Sequence, residues 1–309
     1  MARSNRFKVL EGSAWYHLYN QVAAALGEYP LEGTAAARKL IELFELYASV
    51  YECTLAALCV MGNHYHAVAF FEEYRRLSRR ELRRRAKRLN PGPHGEARLD
   101  CWGDEDWERF NRRLFDVSDF MKDVQQRFSV WYNARHKRRG HFWAERFKAT
   151  VLEGPRVALD AALYVELNPV RAGLVKRPED HRHSSCFLRS INKAKSFMSL
   201  QNLTGIGDAE EAGIHYRSLL YWRGAVPTRE GQAAIPEELI EAEEARGFRE
   251  RGCFRRRLAY YRDGLVLGSS EFVAEMLTLA RESGFYVRRK HPVRNRGPEC
   301  CMRAYLTDN

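Results

Sequence analysis

Residues 54–71, TLAALCVMGNHYHAVAFF, constrain this chain more than any other stretch. An apolar run from Leu55 to Val60 stops at Met61-Gly62-Asn63 and resumes at once as a second run to Phe71. Two runs of strand length, rich in β-branched and aromatic residues and joined by so short a link, predict a β-hairpin with strands near 54–60 and 64–71. The second strand opens with two histidines one residue apart. Alternate residues of a strand face the same side, so His64 and His66 project together with Tyr65 opposite. Two same-facing imidazoles fit either half of a metal site or a polar strand edge in contact with water.

The surrounding sequence supplies partners for that hairpin. WYHLYNQVA (15–23) alternates and is aromatic, which predicts a strand. Leu40, Leu43, Phe44 and Tyr47 repeat at helical spacing inside a helix expected over 34–50, so the opening is β-α-β-β. Leu114, Val117, Phe120, Met121, Val124, Phe128 and Trp131 trace a stripe that predicts a long helix over 114–136 packed on the sheet. A strand is expected at about 145–152. Gly154-Pro155 then opens a helix expected to stop near Asn168, because Pro169 disfavours helical geometry in the residue before it. Residues 72–113 read as an insertion on the surface. Within it RRLSRRELRRRAKR (75–88) carries nine basic side chains and one acid. That helix is either solvated and partly self-paired or an arm that tracks phosphates. Beyond 190 the expected elements are helices at about 236–250 and 270–283, followed by a loosely held basic tail, FYVRRKHPVRNRG. The domains expected are therefore 1–189, with the insertion at 72–113, and a mainly helical region at 190–309, for which nucleic-acid binding is the candidate role.

Charge narrows the partner. Of 309 residues, 51 are Lys or Arg and 40 are Asp or Glu, a formal net charge of +11, while 45% are hydrophobic. A folded chain this basic points to a polyanion, nucleic acid before a membrane surface, with an ordinary basic enzyme as the bland alternative. No apolar stretch reaches the length of a membrane span. The seven cysteines form no C-x-x-C pair and no evident framework, which leads to an expectation of a reducing cytoplasm.

A second string bears on the histidines. In LDAALYVELNPVRAG (159–173), Asp160, Tyr164 and Asn168 are spaced by four and share a helix face. If that helix lies beside the histidine strand, two imidazoles, an amide oxygen and a phenol surround one point. Tyr164 could equally be a core aromatic. Asn168 could be a helix cap before proline, in which case Asp160 is the substitute ligand. Glu166 falls on another face.

MGNHYH (61–66) resembles the His-hydrophobe-His motif of the single-tyrosine HUH transposases. YNARHKRRGHFWAERFKA (132–149) and YVELNPVRAGLV (164–175) resemble the REP-associated tyrosine transposases more closely, and the likeness covers roughly residues 10 to 188, ending in RHSSC. It implies a ferredoxin-like antiparallel sheet with helices packed on one face. It also implies metal-dependent nicking and rejoining of single-stranded DNA, often beside a hairpin. Tyr164 would be the nucleophile, His64, His66 and Asn168 the ligands of Mg²⁺ or Mn²⁺, and the product a 5′-phosphotyrosine. Arg135, Arg138, Arg139, Trp143, Arg146 and Lys148 would contact nucleic acid, aromatics among cations suiting stacked bases and phosphates, although an ordinary surface would look the same. The partner would be single-stranded or hairpin DNA, the location cytoplasmic and nucleoid-associated, and the state monomeric or homodimeric. The long basic insertion and the region after 190 depart from the compact family pattern. The alternatives are a non-catalytic DNA- or RNA-hairpin-binding protein on the same fold, and a metal-dependent hydrolase in which water attacks.

Overall fold

The computed structural model describes residues 8–9, 11–25, 27–227, 231–245, 264–283, 293–294 and 300–303. In chain order the first elements are β1 (Ala14–Gln21), α1 (Thr34–Ala48), β2 (Cys53–Val60), β3 (His64–Phe71), α2 (Arg79–Leu89), α3 (Pro93–Asp100), α4 (Asp104–Arg113), α5 (Val117–Arg135), β4 (Lys148–Leu152) and α6 (Gly154–Arg171). There follow α7 (Ser185–Ser190), α8 (Leu200–Thr204), α9 (Ala209–Ala225), α10 (Glu237–Glu244), β5 (Gly264–Gly268), α11 (Ser270–Glu282), β6 (Val293–Arg294) and β7 (Cys300–Arg303). The strands form one sheet in the order β2-β3-β1-β4-β5-β7-β6.

The hairpin forms as its sequence predicts. Its link is held by Met61 N–H donating to the His64 carbonyl at 2.8 Å, and by Leu31 N–H donating to Gly62 O at 2.8 Å. A Cβ at Gly62 would lie 2.9 Å from the Tyr29 ring, so glycine lets the two segments close up. β3 is then sandwiched between β2 and β1, antiparallel to both, which buries it on both edges.

Helices cover both faces, not one. Tyr16, Leu18, Tyr65, Ala67 and Ala69 point to α1 and α5 and share a core with Leu40, Phe44, Phe120, Val124 and Phe128. On the other face Trp15, Ala57, Cys59, Val68 and Leu152 pack with Ala158, Ala161, Ala162 and Val165 of α6. The alternation within each strand is apolar on both sides, so one-sided coverage would leave the second face in water. Alanines on both surfaces let α6 lie close to the strands.

α6 also runs past its expected stop. Pro169 sits inside it, and the helix ends at Arg171. A proline there removes the N–H that would have bonded the Val165 carbonyl. The Asn168 amide nitrogen substitutes, donating to Tyr164 O at 2.9 Å and to Val165 O at 3.4 Å.

The described part of the C-terminal region is mostly helical, as expected, but it also adds strands that the sequence did not announce. β5 pairs parallel to β4, and β7 and β6 extend the sheet beyond it. GLVLG is a short apolar run without alternation, which periodicity alone cannot separate from helix or loop. The 236–250 helix is seen as α10 to Glu244, with 246–250 outside the described residues. Most of the basic tail also lies outside them, but Val293 and Arg294 are paired in β6. Residue 189 is not a seam in the packing: Tyr216 and Leu220 of α9 share a core with α6, and Arg223 of α9 pairs with Asp160.

In the insertion, Leu77, Leu82, Ala86, Leu99, Trp107 and Phe110 form a small core continuous with the main one. Its cations are largely self-paired: Arg79 with Asp104, Arg83 with Asp100, Lys87 with Glu96, and Arg85 with both Glu81 and the buried Glu52. Arg75, Arg76 and Arg84 also reach carboxylates, while exposed Arg80 and Arg88 have no ion-pair partner among the described residues.

Candidate active site

The sheet's α6 face carries a row of polar side chains set by register. Tyr19 lies opposite His66, Gln21 opposite His64 and His17 opposite Val68 across the β1–β3 ladder. Thr150 and Lys148 stand opposite His17 and Tyr19 across the β1–β4 ladder. Side chains two apart on neighbouring strands are within reach of one another when they are aromatic. The His64 and His66 rings are 5.2 Å apart at 88°, and Tyr19 lies against both, at 5.8 and 4.8 Å.

α6 brings Tyr164 onto this row. Its ring meets His66 edge-on at 5.5 Å and His17 at 6.0 Å, and only 8% of the residue is exposed. The Arg171 guanidinium, two turns on in the same helix, lies 5.5 Å over the phenol ring. The structure thus juxtaposes three of the four residues singled out around one point, His64, His66 and Tyr164. It adds a third imidazole that sequence reasoning passed over. His17 and His66 are each 1% exposed, and His17 Nε2 is 3.0 Å from His66 Nδ1 with the ring planes within 15° of parallel. The signal in sequence was the alternation of WYHLYNQ, which sets His17 and Tyr19 on one face; only register shows which face and opposite what.

Asn168 stands one turn beyond Tyr164, its nitrogen committed to the helix carbonyls, so its oxygen is the atom left to ligate. Asp160 is withdrawn from any such role by its buried pair with Arg223. Glu166 is fully buried elsewhere, bonded by Ser185, Arg189 and Tyr216.

The cationic segment flanks the histidine end of the sheet. Ala144 N–H donates to Gln21 O at 3.0 Å, and Asn20 Nδ2 to Glu145 O at 3.1 Å, which fixes residues 142–146 beside the end of β1 whose other neighbour is His64. Lys148 is on the histidine face and pairs with Glu145 at 3.5 Å. Arg135, Arg138, Arg139 and Arg146 are exposed. Arg135 lies over Trp131 at 5.9 Å, and Arg138 over Tyr132 and Phe142 at 6.0 and 5.9 Å. Trp143 is packed inward: it donates through Nε1 to Gln125 O at 3.2 Å and meets the Tyr65 ring at 5.4 Å.

The donor set can be tested against a divalent ion. With metal–nitrogen bonds of about 2.1 Å and roughly 1.1 Å more to each ring centre, two imidazoles sharing one ion have centres about 4.6–5.3 Å apart. The 5.2 Å between His64 and His66 falls within that range. Asn63 Oδ1 is 2.7 Å from His64 Nδ1, the outer contact that fixes a ligating tautomer by leaving the Nε2 lone pair outward. No group of three His, Cys, Asp or Glu with metal-site geometry occurs among the described residues; the donor that the sequence pattern offers beside the two imidazoles is Asn168 Oδ1. Two imidazoles and an amide oxygen fit Mn²⁺ well and Mg²⁺ less well.

No family profile matches the chain, and no curated protein does. Among solved structures it is similar to a REP-associated tyrosine transposase bound to a REP hairpin, with a TM-score of 0.40 and 16% identity over 68% of this chain and 93% of that one. At that overlap no residue here takes its role from the neighbour. No helix among the described residues is long and apolar enough to cross a membrane.

Proposed function

We propose that the protein is a metal-dependent enzyme that nicks and rejoins single-stranded DNA, near hairpins, through a 5′-phosphotyrosine on Tyr164. The observation that carries this reading is the placement of the Tyr164 ring 5.5 Å from His66, itself 5.2 Å from His64, on one sheet face. The order β2-β3-β1-β4 with β-α-β-β-α-β connectivity supports the ferredoxin-like description of the first four strands.

A phosphodiester resists attack because its charge repels nucleophiles and its alkoxide leaves poorly. A divalent cation held by His64, His66 and Asn168 would offset that charge and stabilise the departing 3′ oxygen. Tyr164 Oη attacks phosphorus, a P–O bond to the phenol forms as the bond to the 3′ oxygen breaks, the phenol gives up its proton and the 3′ oxygen gains one. Attack by a 3′ hydroxyl on the phosphotyrosine runs the same exchange backwards and reseals a strand without an outside energy source. The surrounding imidazoles and the Arg171 cation hold the phenol in one orientation. Exposed Arg135, Arg138, Arg139 and Arg146 beside the same sheet end would carry phosphates.

The test is incubation with Mn²⁺ and single strands from the flanks of the gene, followed by denaturing electrophoresis. A covalent protein–DNA adduct is expected, and Tyr164→Phe should abolish it while the fold persists. An adduct that survives in the Phe variant would refute the assignment. A second reading, a hairpin-binding protein that does not cut, is favoured by one observation: Tyr164 is only 8% exposed, packed between α6 and the sheet. It predicts hairpin binding with no adduct.

A further inference from the structure

The buried contact between His17 and His66 decides which nitrogen of His66 bears a proton. A neutral imidazole has one N–H and one lone pair, so the 3.0 Å contact holds a single proton with two possible owners. If His17 Nε2 donates, His66 Nδ1 accepts, the proton of His66 sits on Nε2, and that nitrogen has no lone pair to offer. If His66 Nδ1 donates, His17 Nε2 accepts and His66 Nε2 keeps its lone pair. Only the second arrangement lets His66 act as a ligand, because Nδ1 is occupied in both.

We propose that His17 is a positioning residue that accepts the Nδ1 proton of His66 and thereby makes His66 Nε2 a metal-binding nitrogen. This rests on the metal-site reading above. The geometry suits the role: the ring planes are within 15° of parallel, and the centres are 5.1 Å apart, close to the roughly 5.2 Å expected when a 3.0 Å N···N contact lies along the line of the two ring centres. His64 has the equivalent support from Asn63 Oδ1 at 2.7 Å. Each histidine of the pair therefore has an outer partner, one an amide oxygen from its own hairpin and the other an imidazole from the adjacent strand. His17 itself touches the Tyr164 ring edge, so one side chain sets both the ligand and part of the wall around the phenol.

The experiment has two readouts on the full-length protein. Nitrogen–proton correlation spectra of metal-free, ¹⁵N-histidine-labelled protein report the tautomer, with His66 assigned by loss of its signals in His66→Gln. The His66 proton is expected on Nδ1. Mn²⁺ binding without DNA, followed by electron paramagnetic resonance, should weaken about 10- to 100-fold in His17→Phe, the size typical of losing an outer-sphere partner. His17→Gln, whose amide oxygen can accept the same proton, should stay within a few-fold of wild type. A His66 proton on Nε2 overturns the proposal, as does a folded His17→Phe with unchanged affinity. Should His17→Phe fail to fold, the wild-type tautomer and the Gln variant still decide. Binding that is lost in His64→Ala yet untouched by His17→Phe sinks this inference alone. The expected binding pattern without any covalent adduct keeps it and sinks the nicking reading.

Discussion

Arg189→Met should unfold this protein far more readily, and the reason lies in Glu166. That carboxylate is 0% exposed, and among the described residues Arg189 is the only cation that forms an ion pair with it. Ser185 Oγ donates to Oε1 at 2.5 Å and Tyr216 Oη to Oε2 at 2.8 Å, but hydroxyls alone do not compensate a buried negative charge. Arg189 also donates through Nη2 to Ala56 O at 2.6 Å, so its removal strips a partner from the β2 backbone as well. Methionine keeps much of the apolar stem and isolates the loss of charge. Breaking one partner out of a buried pair costs about 3–5 kcal/mol, because the other charge is left without its countercharge. In a chain of this size that is a fall in Tm on the order of 10 °C. The assay is urea denaturation followed by circular dichroism, with Glu166→Leu/Arg189→Met as the control. Removing both charges should recover more than half of the loss, since a buried pair contributes little net stability against apolar residues of like volume. The reasoning fails if Arg189→Met lies within 1 kcal/mol of wild type, by roughly the scatter of ordinary substitutions, or if the double variant is no better than the single.

Further outcomes are open to measurement. Burial pushes the Tyr16 hydroxyl up to about 12, so the unfolded chain releases its proton near pH 10 while the folded one retains it. Stability should therefore fall as pH rises from about 10 to about 12, by roughly 1.4 kcal/mol per unit for each such tyrosine, and Tyr16→Phe should lessen the slope in alkaline denaturation curves. Neutralising Arg80 and Arg88 together should lower the salt slope of DNA binding by up to about 2, whereas Arg83→Gln, already paired with Asp100, should change it less; equal effects would refute self-pairing in the insertion. Truncation after residue 189 should abolish cooperative unfolding, because it bares the β4 edge, removes Arg223 from Asp160 and takes Tyr216 from Glu166. A truncated protein with a sharp transition would show that 1–189 is self-sufficient.

The local sequence decided the hairpin, the helices with a clear stripe and the shared face of His64 and His66. Each depends on a period of 2 or 3.6 that neighbouring residues impose on one another. Leu40, Leu43, Phe44 and Tyr47 mark α1 for the same reason that alternation marks β1. Local rules also misled where a distant or side-chain group overrode them. Pro169 forbade a continued helix until the Asn168 amide replaced its missing N–H. GLVLG gave no sign of being a strand because its partners, at 151–152 and 300–303, lie more than a hundred residues before it and over thirty after it. His17 is the clearest case. Its spacing put it on one face of a strand, but nothing in WYHLYNQ says that β1 pairs with β3 in the register that sets Tyr19 opposite His66. That register follows from burying two apolar sheet faces at once, under α1 and α5 on one side and α6 on the other, and a slip by one residue would exchange the faces of every side chain on the strand. Chemistry-bearing residues were therefore legible one strand or one helix at a time, whereas their meeting point belongs to the packing of the whole sheet.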